Sequence, residues 1–185
     1  MTKWRPDFDP EHLYFITTTA VQHAPLFQRD VMKRLLVDSL QHARAVGRIE
    51  LYAFVIMPNH LHLIVRIAAE VGLANWIRNW KTFTAKQIVW QYQAEGNEQA
   101  LAFLSSAVKR PGKQRFKVWE DGYNAKEVFS AGFLEQKIEY VHNNPCQPHW
   151  QLAEYPELYP WSSARFYLLD RPAIILLDDV RLLLG

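Results

Sequence analysis

The chain has 185 residues, 49% of them hydrophobic and 22% charged, a composition that excludes a disordered or fibrous protein and suits one domain with a sizeable core. Its formal net charge of +2 does not announce a nucleic-acid partner, so any such role rests on local clustering of the 21 Lys and Arg. The single cysteine, Cys146, excludes an intrachain disulfide framework and a Cys-based zinc site, no run reaches the roughly 18 apolar residues of a membrane helix, and a polar N-terminus lacks a signal-peptide core, which together predict a cytoplasmic protein.

His12 to Thr19 is rich in aromatic and β-branched residues and reads as the first strand. From Arg29 to Gly47, apolar residues recur at helical spacing, Asp30 favours the helix start and Gly47 ends it. Ile49 to Met57 reads as a second strand and His60 to Ile67 as a third. The turn-type pair Pro58-Asn59 joins them into an antiparallel hairpin. Leu73 to Tyr92 is a helix whose apolar stripe is interleaved with Arg78, Lys81 and Lys86, a basic face that suits tracking a phosphate backbone as well as plain solvation, and a short helix over Ala100 to Val108 follows. Lys109, Arg110, Lys113 and Arg115 lie in a basic loop suited to phosphate contacts. Phe116 to Trp119 is expected as another strand, with a turn at Glu120-Asp121-Gly122. Ser130 then caps a helix that Pro145 closes after Asn144. Ala173 to Gly185 is too apolar for a free tail and is expected to dock on the body or on a second subunit.

Chemistry concentrates in two places. In Met57-Pro58-Asn59-His60-Leu61-His62, strand alternation puts His60 and His62 on one face, roughly 6 to 7 Å apart along the backbone, where two imidazoles can converge on one metal ion. On the last long helix, Tyr140 and Asn144 are four residues apart and share a face. Two imidazoles and an amide oxygen can hold a divalent ion that polarises a phosphate. A phenol oxygen can attack the phosphorus and conserve the phosphodiester energy in a covalent intermediate. His142, two residues from Tyr140, points about 200° away on a helix and does not suit the role of proton acceptor for that phenol.

Three segments, His60-Leu61-His62 in its Met-Pro-Asn setting, Glu139 to Pro145, and Tyr159-Pro160-Trp161-Ser162-Ser163-Ala164, resemble the single-tyrosine HUH transposases of the insertion-sequence type, and among them the REP-associated tyrosine transposases. The likeness runs from about Tyr14 to Tyr167. It implies an α+β, ferredoxin-like or RRM-like sandwich with a central antiparallel sheet and packed helices, a core of about 12–167 and an apolar extension over 168–185. By motif, His60, His62 and Asn144 become ligands of Mg or Mn, and Tyr140 becomes the nucleophile that forms a 5′-phosphotyrosine. Single-stranded DNA beside a hairpin becomes the substrate, handled by a monomer or homodimer, and Lys126 a further phosphate contact.

Two other readings compete. A protein that binds hairpin DNA without cutting it has no need of His60, His62, Tyr140 and Asn144 together. A histidine-triad nucleotide hydrolase needs a third histidine two residues after His62, where the chain has Ile64.

Overall fold

The computed structural model describes residues 8–109, 112 and 114–184. Four strands, β1 (Leu13–Thr19), β2 (Ile49–Ile56), β3 (His60–Ile67) and β4 (Asn124–Val128), form one sheet in the order β2-β3-β1-β4. All three pairings are antiparallel. The helices α1 (Asp30–Ala45) and α2 (Leu73–Ala94) intervene in the β-α-β-β-α-β order of a ferredoxin-like fold, with the short α3 (Glu98–Ser106) inserted before β4. After β4 come α4 (Ala131–Asn143), α5 (Ala164–Leu169) and α6 (Arg181–Leu184). The class is α+β, as the sequence implied.

Strand alternation divides the sheet into two working faces. Ile16, Leu61, Leu63 and Val65 are buried on one side, beneath the paired helices α1 and α2. His60, His62, Phe15 and Thr17 lie on the other, and α4 packs across β2, β3 and β4 there. The result is three layers, with the sheet in the middle. α1 ends as expected: Gly47 takes φ +70°, and the amides of Gly47 and Arg48 reach back to the carbonyls of Arg44 and Ala43, each at 3.0 Å. This is the 6→1 and 5→2 pairing that closes a helix on a left-handed residue.

Between α3 and α4 one expectation is corrected, and one strand stands where the sequence suggested none. Phe116 to Trp119 is not a strand: it forms an isolated bridge from Trp119 to Ala20, the Val21 amide donates to the Val118 carbonyl and the Lys117 amide to the Leu104 carbonyl. The Trp119 ring is wedged 4.8 Å from Phe27 and 5.4 Å from Trp80, and its Nε1 donates to Thr84 Oγ1 at 3.1 Å. Burial of the indole dictates the backbone path there. The real fourth strand is β4, whose sequence Asn-Ala-Lys-Glu-Val is poor in strand-forming residues but pairs with β1 from Leu13–Val128 to Thr17–Asn124.

The apolar C-terminal stretch docks on the body along the outer side of β2. The amide and carbonyl of Phe54 meet Ser163 Oγ and the Ser163 amide, and the Ile56 amide donates to the Trp161 carbonyl. The hydroxyls of Tyr159 and Tyr167 donate to the carbonyls of Ile56 and Tyr52. Asp178 accepts from the Leu51 amide at 2.8 Å and from Arg44 through both carboxylate oxygens, while its own amide donates to the Leu51 carbonyl. Losing this carboxylate leaves a half-buried guanidinium and a strand amide without their acceptor. Asp178→Ala should therefore lower stability by about 2 kcal/mol, read as a reduced urea midpoint with an unchanged m-value.

Candidate active site

The β2–β3 hairpin holds the histidine pair from both sides. Its turn closes through the Met57 amide and the His60 carbonyl at 2.8 Å, and it is tied to the rest of the chain by the Ala20 amide on the Asn59 carbonyl and the Phe27 amide on the Pro58 carbonyl. His60 and His62 then present their rings on one face with centroids 4.8 Å apart and planes at 74°.

Each imidazole is oriented through its Nδ1. His60 Nδ1 lies 2.7 Å from Asn59 Oδ1, and His62 Nδ1 lies 2.8 Å from Thr17 Oγ1 on the facing strand. With Nδ1 as the protonated nitrogen, each Nε2 keeps its lone pair, the usual second-shell arrangement of ligating histidines. Sequence reading missed Thr17 and Asn59 as partners of the pair. Asn59 is adjacent to the motif, whereas Thr17 becomes visible only through the register Thr17–His62.

α4 carries the second half of the site. Ser130 caps it as expected, accepting from the Phe133 amide at 3.2 Å, and Leu134 and Val141 anchor its buried side. This sets the half-exposed Tyr140 ring 5.1 Å from His62 and 5.9 Å from Phe15. One turn on, Asn144 is buried next to His60. The structure therefore brings together the four residues singled out from sequence, though they are some eighty positions apart.

Burial pushes the pKa of His60 down to about 4, and the Asn144 carboxamide opposes that fall in part. Burial pushes His62 down to about 3, with the His60 and Lys137 charges adding to the effect. Both rings are thus neutral and able to donate lone pairs at neutral pH. His62 Nε2 and Asn144 Oδ1 are buried with no hydrogen-bond partner. Unpaired buried acceptors are costly, and two of them on adjoining elements beside a second imidazole fit a divalent cation. Among the described residues no three His, Cys, Asp or Glu side chains form a metal-binding group; the donors that this corner offers are two imidazoles and an amide.

His142 lies away from this centre, as its helical phase requires. It is buried with Nε2 2.8 Å from Ser163 Oγ, its pKa lowered by burial to about 4. It fastens α4 to the segment that borders β2. His60, His62 and His142 all have folded-state pKa values below the ordinary 6.5, so the unfolded chain binds protons first as pH falls. Their contribution to stability is complete above about pH 6.5 and is lost as pH falls toward 4 and 3. Urea midpoints should accordingly decline through this window, and His142→Gln should flatten the decline.

Among the described basic candidates, Arg78 and Lys81 share one groove, and Lys126 stands apart from them on β4. Arg78 is exposed and bonds Asn75, Lys109 is exposed, and Arg115 lies over Phe116. Lys81 differs from its expected role as a free phosphate contact: its ammonium donates to the carbonyls of Glu120 and Gly122 at 2.7 and 2.6 Å, and burial lowers its pKa to about 8. It is a strut between α2 and the following turn, on a groove of about 570 Å³ that Arg78 and Lys86 also line. Lys126 is exposed on β4 opposite Phe15. Arg110 and Lys113 lie outside the described residues. Among the described residues no helix is long and apolar enough to cross a membrane.

Comparison with solved structures gives a REP-associated tyrosine transposase bound to a REP hairpin, at TM-score 0.62 and 16% identity, covering 97% of this chain and 93% of that one. A putative transposase from Deinococcus radiodurans R1 aligns at TM-score 0.44 and 20% identity, covering 77% of this chain and 97% of that one. No curated protein matches. The first of these likenesses extends the shared fold over nearly the whole chain. The family model described as "Transposase IS200 like" matches residues 11–144, a span that runs from the first strand through the histidine pair and Tyr140 to Asn144, and the chain belongs to that family.

Proposed function

We propose that the protein cleaves and rejoins single-stranded DNA next to a hairpin, of the kind found in repetitive extragenic palindromes, through a 5′-phosphotyrosine on Tyr140. The observation that carries this reading is the Tyr140 ring 5.1 Å from His62, beside two orphaned buried acceptors, His62 Nε2 and Asn144 Oδ1. The hairpin-bound state of the structural neighbour supports the choice of substrate. Residues 1–185 act as a single HUH-type domain in the cytoplasm.

His60, His62 and Asn144 would hold a divalent Mg or Mn ion, which when bound supplies charge stabilisation at the scissile phosphate. Thr17 Oγ1 and Asn59 Oδ1 lie within hydrogen-bond distance of the two Nδ1 atoms, contacts that suit the tautomer with Nε2 free. Tyr140 Oη forms a bond to phosphorus as the bond to the 3′ oxygen breaks. The phenolic proton is lost and the departing strand leaves as a 3′-hydroxyl. Attack by a 3′-hydroxyl on the phosphotyrosine reverses the step and joins the strands, with no net loss of phosphodiester bonds.

The test is incubation with hairpin-bearing single-stranded DNA and Mg²⁺ or Mn²⁺, followed by denaturing electrophoresis. A metal-dependent protein–DNA adduct is expected, and its absence across hairpins with varied flanks would leave the binder reading in its place.

A further inference from the structure

α4 and the residues leading into it carry an aromatic and cationic strip that the cleavage chemistry does not use. Phe129, just before the helix cap, is 75% exposed and stacks on Phe133 with centroids 4.8 Å apart and planes at 16°. The Lys137 ammonium lies 4.9 Å from the Phe133 ring, 5.4 Å from Phe15 and 5.7 Å from Tyr140. The spacing 129, 133, 137, 140 is that of one helix face, and the row ends on the proposed nucleophile. Opposite Phe15 on β4, on the same side of the sheet, stands the exposed Lys126.

Neither lysine is neutralised. Among the described residues the ion pairs leave out both Lys126 and Lys137. The α4 carboxylates Glu135 and Glu139 are each two residues from Lys137, about 200° round the helix from it. On β4, Glu127 projects to the opposite face and pairs with His12 at 2.8 Å.

A stacked aromatic pair with one ring exposed and the other half-buried is a poor surface for water and a good one for unpaired bases. Free cations beside it complement a phosphate chain. We infer that Phe129, Phe133, Lys137 and Lys126 form a binding track for unpaired nucleotides, leading the strand to Tyr140. The occupant is single-stranded nucleic acid because accessible aromatic rings alternate with positive charge that no ion pair engages. A second copy of the chain would cover the rings but leave the lysines without a partner. The inference rests on the reading of Tyr140 as acting on single-stranded DNA, and it is separable from it by experiment.

The test uses the full chain carrying Tyr140→Phe, without added metal, and fluorescein-labelled oligothymidylate read by anisotropy. Adding Phe129→Ala and Phe133→Ala should weaken binding by about tenfold or more, since each stacked base contributes about fivefold to more than a hundredfold. The Phe129→Tyr, Phe133→Tyr pair keeps the stacking faces and should bind as the parent does. Lys126→Gln with Lys137→Gln should reduce the slope of log K against log salt by about 1.4, at about 0.7 per phosphate contact.

Unchanged affinity in the double alanine variant overturns the track even where the wild-type chain forms its DNA adduct. Weakened oligothymidylate binding upholds the track even where no adduct forms with any hairpin. A concentration-dependent dimer that the double alanine variant dissolves, with oligothymidylate affinity unchanged, would assign the aromatic pair to self-association and overturn the track.

Discussion

Tyr140→Phe is expected to abolish the covalent protein–DNA complex, reducing adduct formation and strand joining by at least about three orders of magnitude. The substitution removes only the phenol oxygen. The ring contacts to His62 and Phe15 remain available to phenylalanine, and the half-exposed position keeps the stability change within about 0.5 kcal/mol. Hairpin binding in a gel-shift assay should therefore survive while the adduct disappears. The other tyrosines near β2 cannot substitute: Tyr52, Tyr159 and Tyr167 are pushed to high pKa by burial, and the last two hydroxyls are committed to strand carbonyls. An adduct that persists in Tyr140→Phe would move the nucleophile elsewhere and refute the assignment.

The second large effect is expected at His62. His62→Ala removes a buried nitrogen that has no hydrogen-bond partner, and with the proposed ligand gone, metal-dependent cleavage should fall by about two to four orders of magnitude, with single-strand binding retained. Folding is checked through the urea midpoint, because the lost ring also stacks on Phe15 at 5.3 Å. A finer version leaves the ligand in place. Thr17→Val and Asn59→Ala each remove the partner of an Nδ1 and should raise the Mn²⁺ concentration for half-maximal cleavage by roughly 10- to 100-fold. Cleavage that keeps its metal dependence unaltered in His62→Ala would refute the ligand role.

What could be read from the sequence followed the regularity of the pattern. The pair His60 and His62 is legible because strand alternation has period two, and Tyr140 with Asn144 because a helix repeats every 3.6 residues. The same periodicities located β1, α1, the hairpin and α4 to within a residue or two. β4 escaped because an edge strand needs little apolar character of its own; its identity comes from pairing with β1. Phe116 to Trp119 misled because buried aromatics there fill a gap between helices. Lys81 looked like a solvent-facing cation, since carbonyl acceptors forty residues away leave no trace in local composition. Thr17 was hidden for a similar reason: its role is fixed by register across two strands.

The C-terminal segment along β2 has a consequence for the chain's behaviour in solution. The family match ends at residue 144, yet the groups that occupy the outer amides and carbonyls of β2 come from Tyr159, Trp161, Ser163, Tyr167 and Asp178. A shortened protein stopping after Asn144 would keep every proposed catalytic side chain while presenting β2 as a bare sheet edge. Such an edge invites strand addition from another molecule. The shortened protein should collect in large assemblies on size-exclusion chromatography, with residues 145–184 acting as a built-in guard against aggregation.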